Sequence, residues 1–296
     1  MRVGSVLARF GVDVSIVEAA DRLLPNEEPE ASETLETSFS SEGIAVHTGE
    51  QARQVTSQDG SFVVKLAGGT ELLSERLLVT TGRKVNLSGL GLESAGLDSS
   101  RPFLQVDDHM RAADAIWAMG DVTGVAMFTH IAIYQSTIIA ADILRREIPS
   151  AQYHAVPRVT FTDPEIGAVG ITEAEAIAAG RDVVVVVKQL PATFRGWMHG
   201  SSYGYIKLIF ERESGVLVGA TVAGPQAGEM LGMLNLAVHA HLGLEALRSM
   251  IYAFPTFFGG IGEALGASGR GVTTVIDPTY QGVKLLDQFE ADLVAK

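Results

Sequence analysis

VGSVLARFGVDVSIVE, residues 3–18, carries the pattern from which the fold is read. A helical run from Val3 to Phe10 stops at Gly11, and Val12 to Val17 then alternate and turn apolar as a buried strand closing on Glu18. This is the back half of a β-α-β unit. At the end of such a strand in a doubly wound fold, an acid accepts both ribose hydroxyls of NAD and repels the extra phosphate of NADP. A solvated strand-end charge is the competing reading of Glu18. The glycine turn that holds a diphosphate belongs just before the helix, so its expected place lies upstream of Met1.

Working outward, Pro25 to Pro29 lead into a predicted helix over Glu30 to Glu42, and Gly43 stops it before a strand over Ile44 to His47. Three strands near Ala52–Thr56, Phe62–Leu66 and Thr70–Leu73, separated by Asp59-Gly60 and Gly68-Gly69, read as an antiparallel meander. Leu77 to Thr81 reads as an apolar strand ending at Gly82, with a Gly-, Ser- and Leu-rich connector over Asn86 to Ser100. Asp114 to Met119 reads as another buried strand, followed by a helix from Thr129 to about Arg146 and a linker over Pro149 to Pro157. The last third is α+β. It has a strand over Arg158–Thr162, a capping box from Thr172 to Glu175, a strand over Val183–Val187, a hairpin of Tyr205–Phe210 with Val216–Ala223, and a helix over Ala227–His241.

Composition narrows the function classes. The 296 residues are 47% hydrophobic, enough for sizeable cores, and their net charge of −13 opposes nonspecific attraction to nucleic acid or to an anionic membrane. No apolar run approaches a membrane span and Arg9 interrupts any signal-peptide core, so a cytoplasmic location is expected. The chain contains no cysteine, which removes disulfides, thiolate nucleophiles and dithiol redox pairs from its own chemistry.

A second candidate site follows Ile116-Trp117. There Gly120 clears room for a ligand and Asp121 supplies a carboxylate suited to a polyol hydroxyl. Downstream, a helix beginning at Thr129-His130 would offer free backbone N–H groups to negative charge on an electron-accepting ring. Gly200-Ser201-Ser202-Tyr203-Gly204 matches the G-x-S-x-G pattern of serine hydrolases, with Ser202 as nucleophile. It precedes a strand, however, and His239 and His241, two apart on a helix, are expected to point in different directions. No pair of histidines has the i, i+4 spacing of a helical metal site.

Five stretches together resemble the class I pyridine nucleotide-disulfide oxidoreductases: Gly4-Ser5 through Arg9-Phe10-Gly11 with Glu18; Thr80-Thr81-Gly82-Arg83; Val106-Asp107 through Arg111 to Gly120-Asp121; Phe161-Thr162-Asp163-Pro164-Glu165-Ile166-Gly167 with Val169-Gly170; and Tyr252-Ala253-Phe254-Pro255-Thr256. The resemblance implies an α/β chain with an α+β C-terminal domain. Residues 1–86 would form an incomplete Rossmann-type NAD domain, 87–150 the C-terminal segment of a FAD domain, and 151–296 a dimerisation domain with an unmatched tail. It further implies that Glu18 is the NAD ribose acid, that Thr81 and Gly82 close the nucleotide domain, that Gly120 and Asp121 meet the ribityl chain of FAD, and that the backbone at Phe128, Thr129 and His130 faces the flavin's pyrimidine edge. The partner implied is a second copy, joined through residues 151–296; the flavin site would be completed by a separate chain supplying the FAD domain, or else belong to a reading frame that is incomplete here.

Two departures shape the functional expectation. The part of the family that carries the FAD diphosphate loop and the redox cysteines would precede Met1. Within the retained region, the family's disulfide reductases place a His before the proline and a Glu five residues later as an acid–base pair, where this chain has Phe254 and Gly259. The expectation is an oxidoreductase-family protein whose acceptor is not a dithiol, inactive or partner-dependent as an isolated chain. The alternative is a non-catalytic dimeric remnant. Leu285, Phe289 and Leu293 predict a short amphipathic helix in the tail.

Overall fold

The structure, a computed structural model, describes residues 1–266, Gln58 by its backbone only, and the backbone of two further strands, Thr274–Ile276 and Val283–Leu285. The N-terminal elements are α1 (Arg2–Arg9), β1 (Ser15–Val17), α2 (Pro29–Ser41), β2 (Ala45–His47), β3 (Ala52–Gln58), β4 (Ser61–Leu66) and β5 (Glu71–Ser74). The middle of the chain holds β6 (Arg111–Ala113), β7 (Ile116–Trp117) and α3 (Thr129–Ile143). Then follow β8 (Arg158–Thr160), β9 (Glu165–Gly170), α4 (Glu173–Ala178), β10 (Val183–Gln189), α5 (Phe194–His199), β11 (Tyr205–Glu211), β12 (Leu217–Gly224), α6 (Ala227–His239), α7 (Leu244–Arg248), α8 (Gly259–Ala264), β13 (Thr274–Ile276) and β14 (Val283–Leu285). They fall into two compact units, Met1–Leu77 with the described residues from His154 onward, and Leu78–Tyr153.

The first unit is organised by an antiparallel sheet in the order β14-β13-β10-β11-β12-β9-β8. Its central strand, β11, is buried on both faces because residues alternate sides. Ile206, Leu208 and Phe210 join Val184, Val186, Leu231 and Leu234 in a core under α6. On the opposite face Tyr205 joins Ile166, Leu23, Leu35 and Phe39, so α2 packs on this sheet. Each fully buried Leu or Phe side chain contributes roughly 1.5–3 kcal/mol by leaving water. The predicted capping box opens α4: Thr172 Oγ1 accepts the Glu175 amide at 3.2 Å, and Glu175 Oε2 accepts the Thr172 amide at 2.8 Å.

In the same unit, β1 and β2 form a parallel pair with Ser15 opposite Ala45 and Val17 opposite His47. The meander appears as a three-stranded sheet, β3-β4-β5. Two strand expectations fail, and the tail helix lies largely outside the described residues. Leu77–Thr81 forms no strand, with Leu78 and Val79 exposed, since among the described residues no neighbouring strand supplies the ladder that an apolar run needs. Asp114–Met119 holds only the two residues of β7, because Asp114-Ala115 makes a hairpin turn, Ala115 at φ +56°, that folds β7 back on β6. In the tail, Leu285 ends β14, while Phe289 and Leu293 lie outside the described residues.

Candidate functional site

Glu18 stands immediately after β1, at the C-terminal edge of the parallel pair. Its amide donates to the His47 carbonyl at 2.9 Å and its carbonyl accepts from the Glu50 amide at 3.1 Å, so the backbone is tied on both sides. The half-buried carboxylate accepts the Ala20 amide at 2.9 Å through Oε1. A carboxylate held this way at a parallel strand end can accept a pair of vicinal hydroxyls. The described residues contribute no glycine turn to hold a diphosphate beside it.

The unit Leu78–Tyr153 gathers the other predicted residues. Thr81 and Gly82 lie in an exposed loop, and Arg83, next to them, ties that loop to two places. Its Nη1 meets Asp121 Oδ2 at 3.2 Å, and its Nη2 donates to the Met127 carbonyl at 2.8 Å. Gly120 is buried at φ +75°, and a Cβ there would lie 3.2 Å from Ala132 Cβ, so a side chain would both strain the backbone and crowd α3. Its amide donates to Gln135 Oε1 at 2.6 Å. Gln135 Nε2 donates to the Tyr153 hydroxyl at 2.9 Å, a group that burial pushes above its ordinary range.

Phe128 precedes α3 without a side-chain cap, and Ile131 is the first residue of the helix to bond back to it. The amides of Thr129 and His130 therefore belong to the open end of a 15-residue helix. The Phe128 and His130 rings stack at 5.1 Å. Asp121 and this helix start are thus held together through Arg83, a residue inside the Thr80–Arg83 motif to which sequence reading attached no role. Asp121 suits a polyol, and the amides at α3 suit an anionic ring edge. These residues fit the ribityl and ring portions of a flavin; the described residues hold no diphosphate cradle for it.

The Phe254 region is apolar and open. The Phe254 side chain is 67% exposed and meets Phe194 edge-on at 4.7 Å. At Gly259 an added Cβ would lie 2.9 Å from the Ala253 carbonyl, so no larger residue enters that position without moving backbone. The buried carboxylate of this region is that of Glu263 on α8, whose Oε1 accepts the Phe194 amide at 3.1 Å. Glu263 stands four residues beyond position 259, so the family spacing does not point to it.

The hydrolase pattern meets the wrong geometry, since Gly200–Gly204 runs from the end of α5 into β11, a helix-to-strand passage rather than a strand-to-helix elbow. The divergence expected of His239 and His241 is also corrected. The helix ends at His239 and His241 turns back at φ +52°, so both rings stack on His154, at 5.7 and 4.8 Å. The three rings lie nearly parallel, and among the described residues no group of three or more His, Cys, Asp or Glu is set to hold a metal ion. Likewise, no helix among them is long and apolar enough to cross a membrane.

Comparison with known proteins places these elements. Residues 1–136 match the family described as pyridine nucleotide-disulphide oxidoreductase, and residues 156–265 match the dimerisation domain of the same group. Dihydrolipoyl dehydrogenase of Halobacterium salinarum is 34% identical over 262 residues, covering 86% of this chain and 55% of the relative. The Chlorobaculum parvum enzyme of the same name is 34% identical over 266 residues, covering 88% and 57%. Among solved structures, LpdA from Mycobacterium tuberculosis superposes with a TM-score of 0.83 at 29% identity, covering 89% of this chain and 58% of that one. The HOCl-induced flavoprotein disulfide reductase RclA from Escherichia coli gives 0.81 at 27%, covering 89% and 61%. The chain thus spans a little over half the length of these relatives.

Proposed function

Because this chain belongs to the class I pyridine nucleotide-disulfide oxidoreductase family, we propose that it serves an oxidoreductase passing electrons from NAD through FAD to an acceptor that is not a dithiol. When bound, the flavin supplies the electron relay between nicotinamide and acceptor. The chain's own residues do the holding: Glu18 accepts the NAD ribose hydroxyls, Asp121 accepts from the ribityl chain, and the Phe128–His130 backbone steadies the ring's anionic edge. Thr81 and Gly82 close the nucleotide domain, and Gly120 leaves the space beside Asp121.

The observation that carries the acceptor assignment is Phe254. Its phenyl ring moves no proton, and the crowding at Gly259 leaves no room there for a glutamate to complete an acid–base pair with it. A quinone, a metal ion or a dye asks for no such pair. In this reading residues 1–86 are the NAD domain, 87–150 a FAD-domain segment and 151–296 the dimerisation domain of a cytoplasmic homodimer. An exposed apolar set on that last domain, Trp197, Met198, Ile251 and Phe254, supports the homodimer. A separate chain is one candidate source of the flavin's diphosphate half, on which activity would depend.

The test is to purify the chain together with the polypeptide that completes its flavin site, follow visible flavin absorbance, then assay NADH oxidation with a quinone and with lipoamide. Quinone reduction without lipoamide reduction is expected; lipoamide turnover overturns the acceptor assignment. Glu18→Ala should erase a preference for NAD over NADP, and equal affinity in the unaltered protein would overturn the ribose assignment. The seven-stranded sheet, against only a two-stranded parallel pair, also favours a second reading, a non-catalytic dimer, which colourless protein that takes up no FAD would support.

A further inference from the structure

Lys207 lies in the middle of β11, between Tyr205 and Ile209 on one face of the sheet, and its side chain is only 2% exposed. An ammonium in that place is costly without partners. It has three: Glu28 Oε2 at 2.8 Å, Glu30 Oε1 at 2.8 Å and Glu173 Oε2 at 2.7 Å. Burial pushes the ammonium down, but its hydrogen bonds to Glu173, Glu28 and Glu30 outweigh that and hold it above the ordinary lysine range. The Glu28 side chain is itself 1% exposed, and its second oxygen accepts the Glu173 amide at 2.7 Å. Next to it, Glu27 takes Arg158 of β8 in a two-point pair at 2.8 and 3.0 Å.

Glu27, Glu28 and Glu30 sit at the far end of the segment that leaves Glu18. That segment is stiffened along its length, since the Arg22 guanidinium donates to the carbonyls of Leu24, Pro25 and Glu27 at 2.7–2.9 Å. One end is fixed by the parallel pair and the other by a buried charge on a different sheet. We propose that Lys207 is a positioning residue for the nucleotide site: through Glu28 and Glu30 it sets the course of residues 19–30, and thereby the surroundings of the Glu18 carboxylate. Its consequence for NAD rests on the proposed reading of Glu18, whereas the coupling of the segment to β11 does not.

The test compares the full chain with Lys207→Met, Lys207→Arg and Glu28→Gln, following amide hydrogen exchange by segment and NAD binding by calorimetry. Lys207→Met should speed exchange across residues 19–30 by tenfold or more, leave β12 protected, and weaken NAD binding at least fivefold; Lys207→Arg should restore both. Should Lys207→Met fail to fold, Glu28→Gln decides with a smaller shift in the same direction. Unchanged exchange over 19–30, or a uniform rise across the whole sheet, overturns the coupling. Faster exchange with unaltered NAD affinity overturns the positioning role. If the unaltered chain binds no NAD, the reading of Glu18 fails while the exchange comparison still decides whether Lys207 holds the segment.

Discussion

β11 has hydrogen-bonded neighbours on both sides and side chains packed on both faces, whereas β1, the strand that delivers Glu18, has one neighbour and three paired positions among the described residues. Both strands draw on good strand formers, Ile16 and Val17 in β1 and Tyr205, Ile206, Ile209 and Phe210 in β11, so propensity does not separate them. What separates them is how much of each one's surroundings the chain provides. The sheet around β11 brings its own helices, α4 and α6, while the elements around β1 borrow a core: Leu35 and Phe39 of α2 bury against Tyr205 and Ile166 of that sheet. Binding residues placed on a borrowed core inherit its stability, which is why contacts remote from Glu18 bear on it.

Changes at that shared core break the comparison most sharply. Phe39→Ala should cost about 3–5 kcal/mol, and the loss should appear as early melting of residues 1–77 while β10–β12 stay protected from exchange; simultaneous melting of both would show that they are one cooperative body. Thr172→Ala removes the cap of α4 on the self-sufficient side and should cost about 1 kcal/mol, read as a shift in the midpoint of chemical denaturation. A smaller effect concerns Tyr252, whose hydroxyl donates to the Leu247 carbonyl and is pushed up to about 12 by burial. A raised folded-state value means that stability is intact below the free tyrosine range and falls as pH rises from about 10 toward 12. For this half-buried ring the change is less than about 1 kcal/mol, and Tyr252→Phe should flatten that alkaline slope. Arg83→Gln should move stability least, within about 0.5 kcal/mol, because Arg83 and Asp121 are 61% and 45% exposed. The same change should loosen residues 119–131 in hydrogen exchange, and unaltered exchange there would count against Arg83 as a tie.

Much of this was legible in the residues. The Thr172–Glu175 box, the meander turns at Asp59-Gly60 and Gly68-Gly69, and the Tyr205–Ala223 hairpin are local signals, and each appears as read. The strand β9 was harder to see, since Glu165–Gly170 holds two glycines and follows Pro164, and its strand character comes from pairing with β12 on one side and β8 on the other. Leu77–Thr81 shows the converse, an apolar run with no ladder to join. The site residues that sequence could single out are those near each other in the chain, Gly120 with Asp121 and Phe128 with His130. Lys207 was missed because two of its three partners stand 177 and 179 residues away. His154 and His239 meet across 85 residues for the same reason.

The division of the chain has a consequence for how it withstands cleavage. Leu78–Tyr153 interrupts the first unit, so Met1–Leu77 and the residues from His154 onward are covalently joined only by way of the second unit. Nicking at the exposed stretch around Leu78-Val79 would sever the backbone without severing the fold, because α2 remains buried against the sheet and Glu28 remains on Lys207. The first unit is therefore a candidate for complementation between fragments, in which two separately made pieces reassemble through one apolar seam and one enclosed ionic knot.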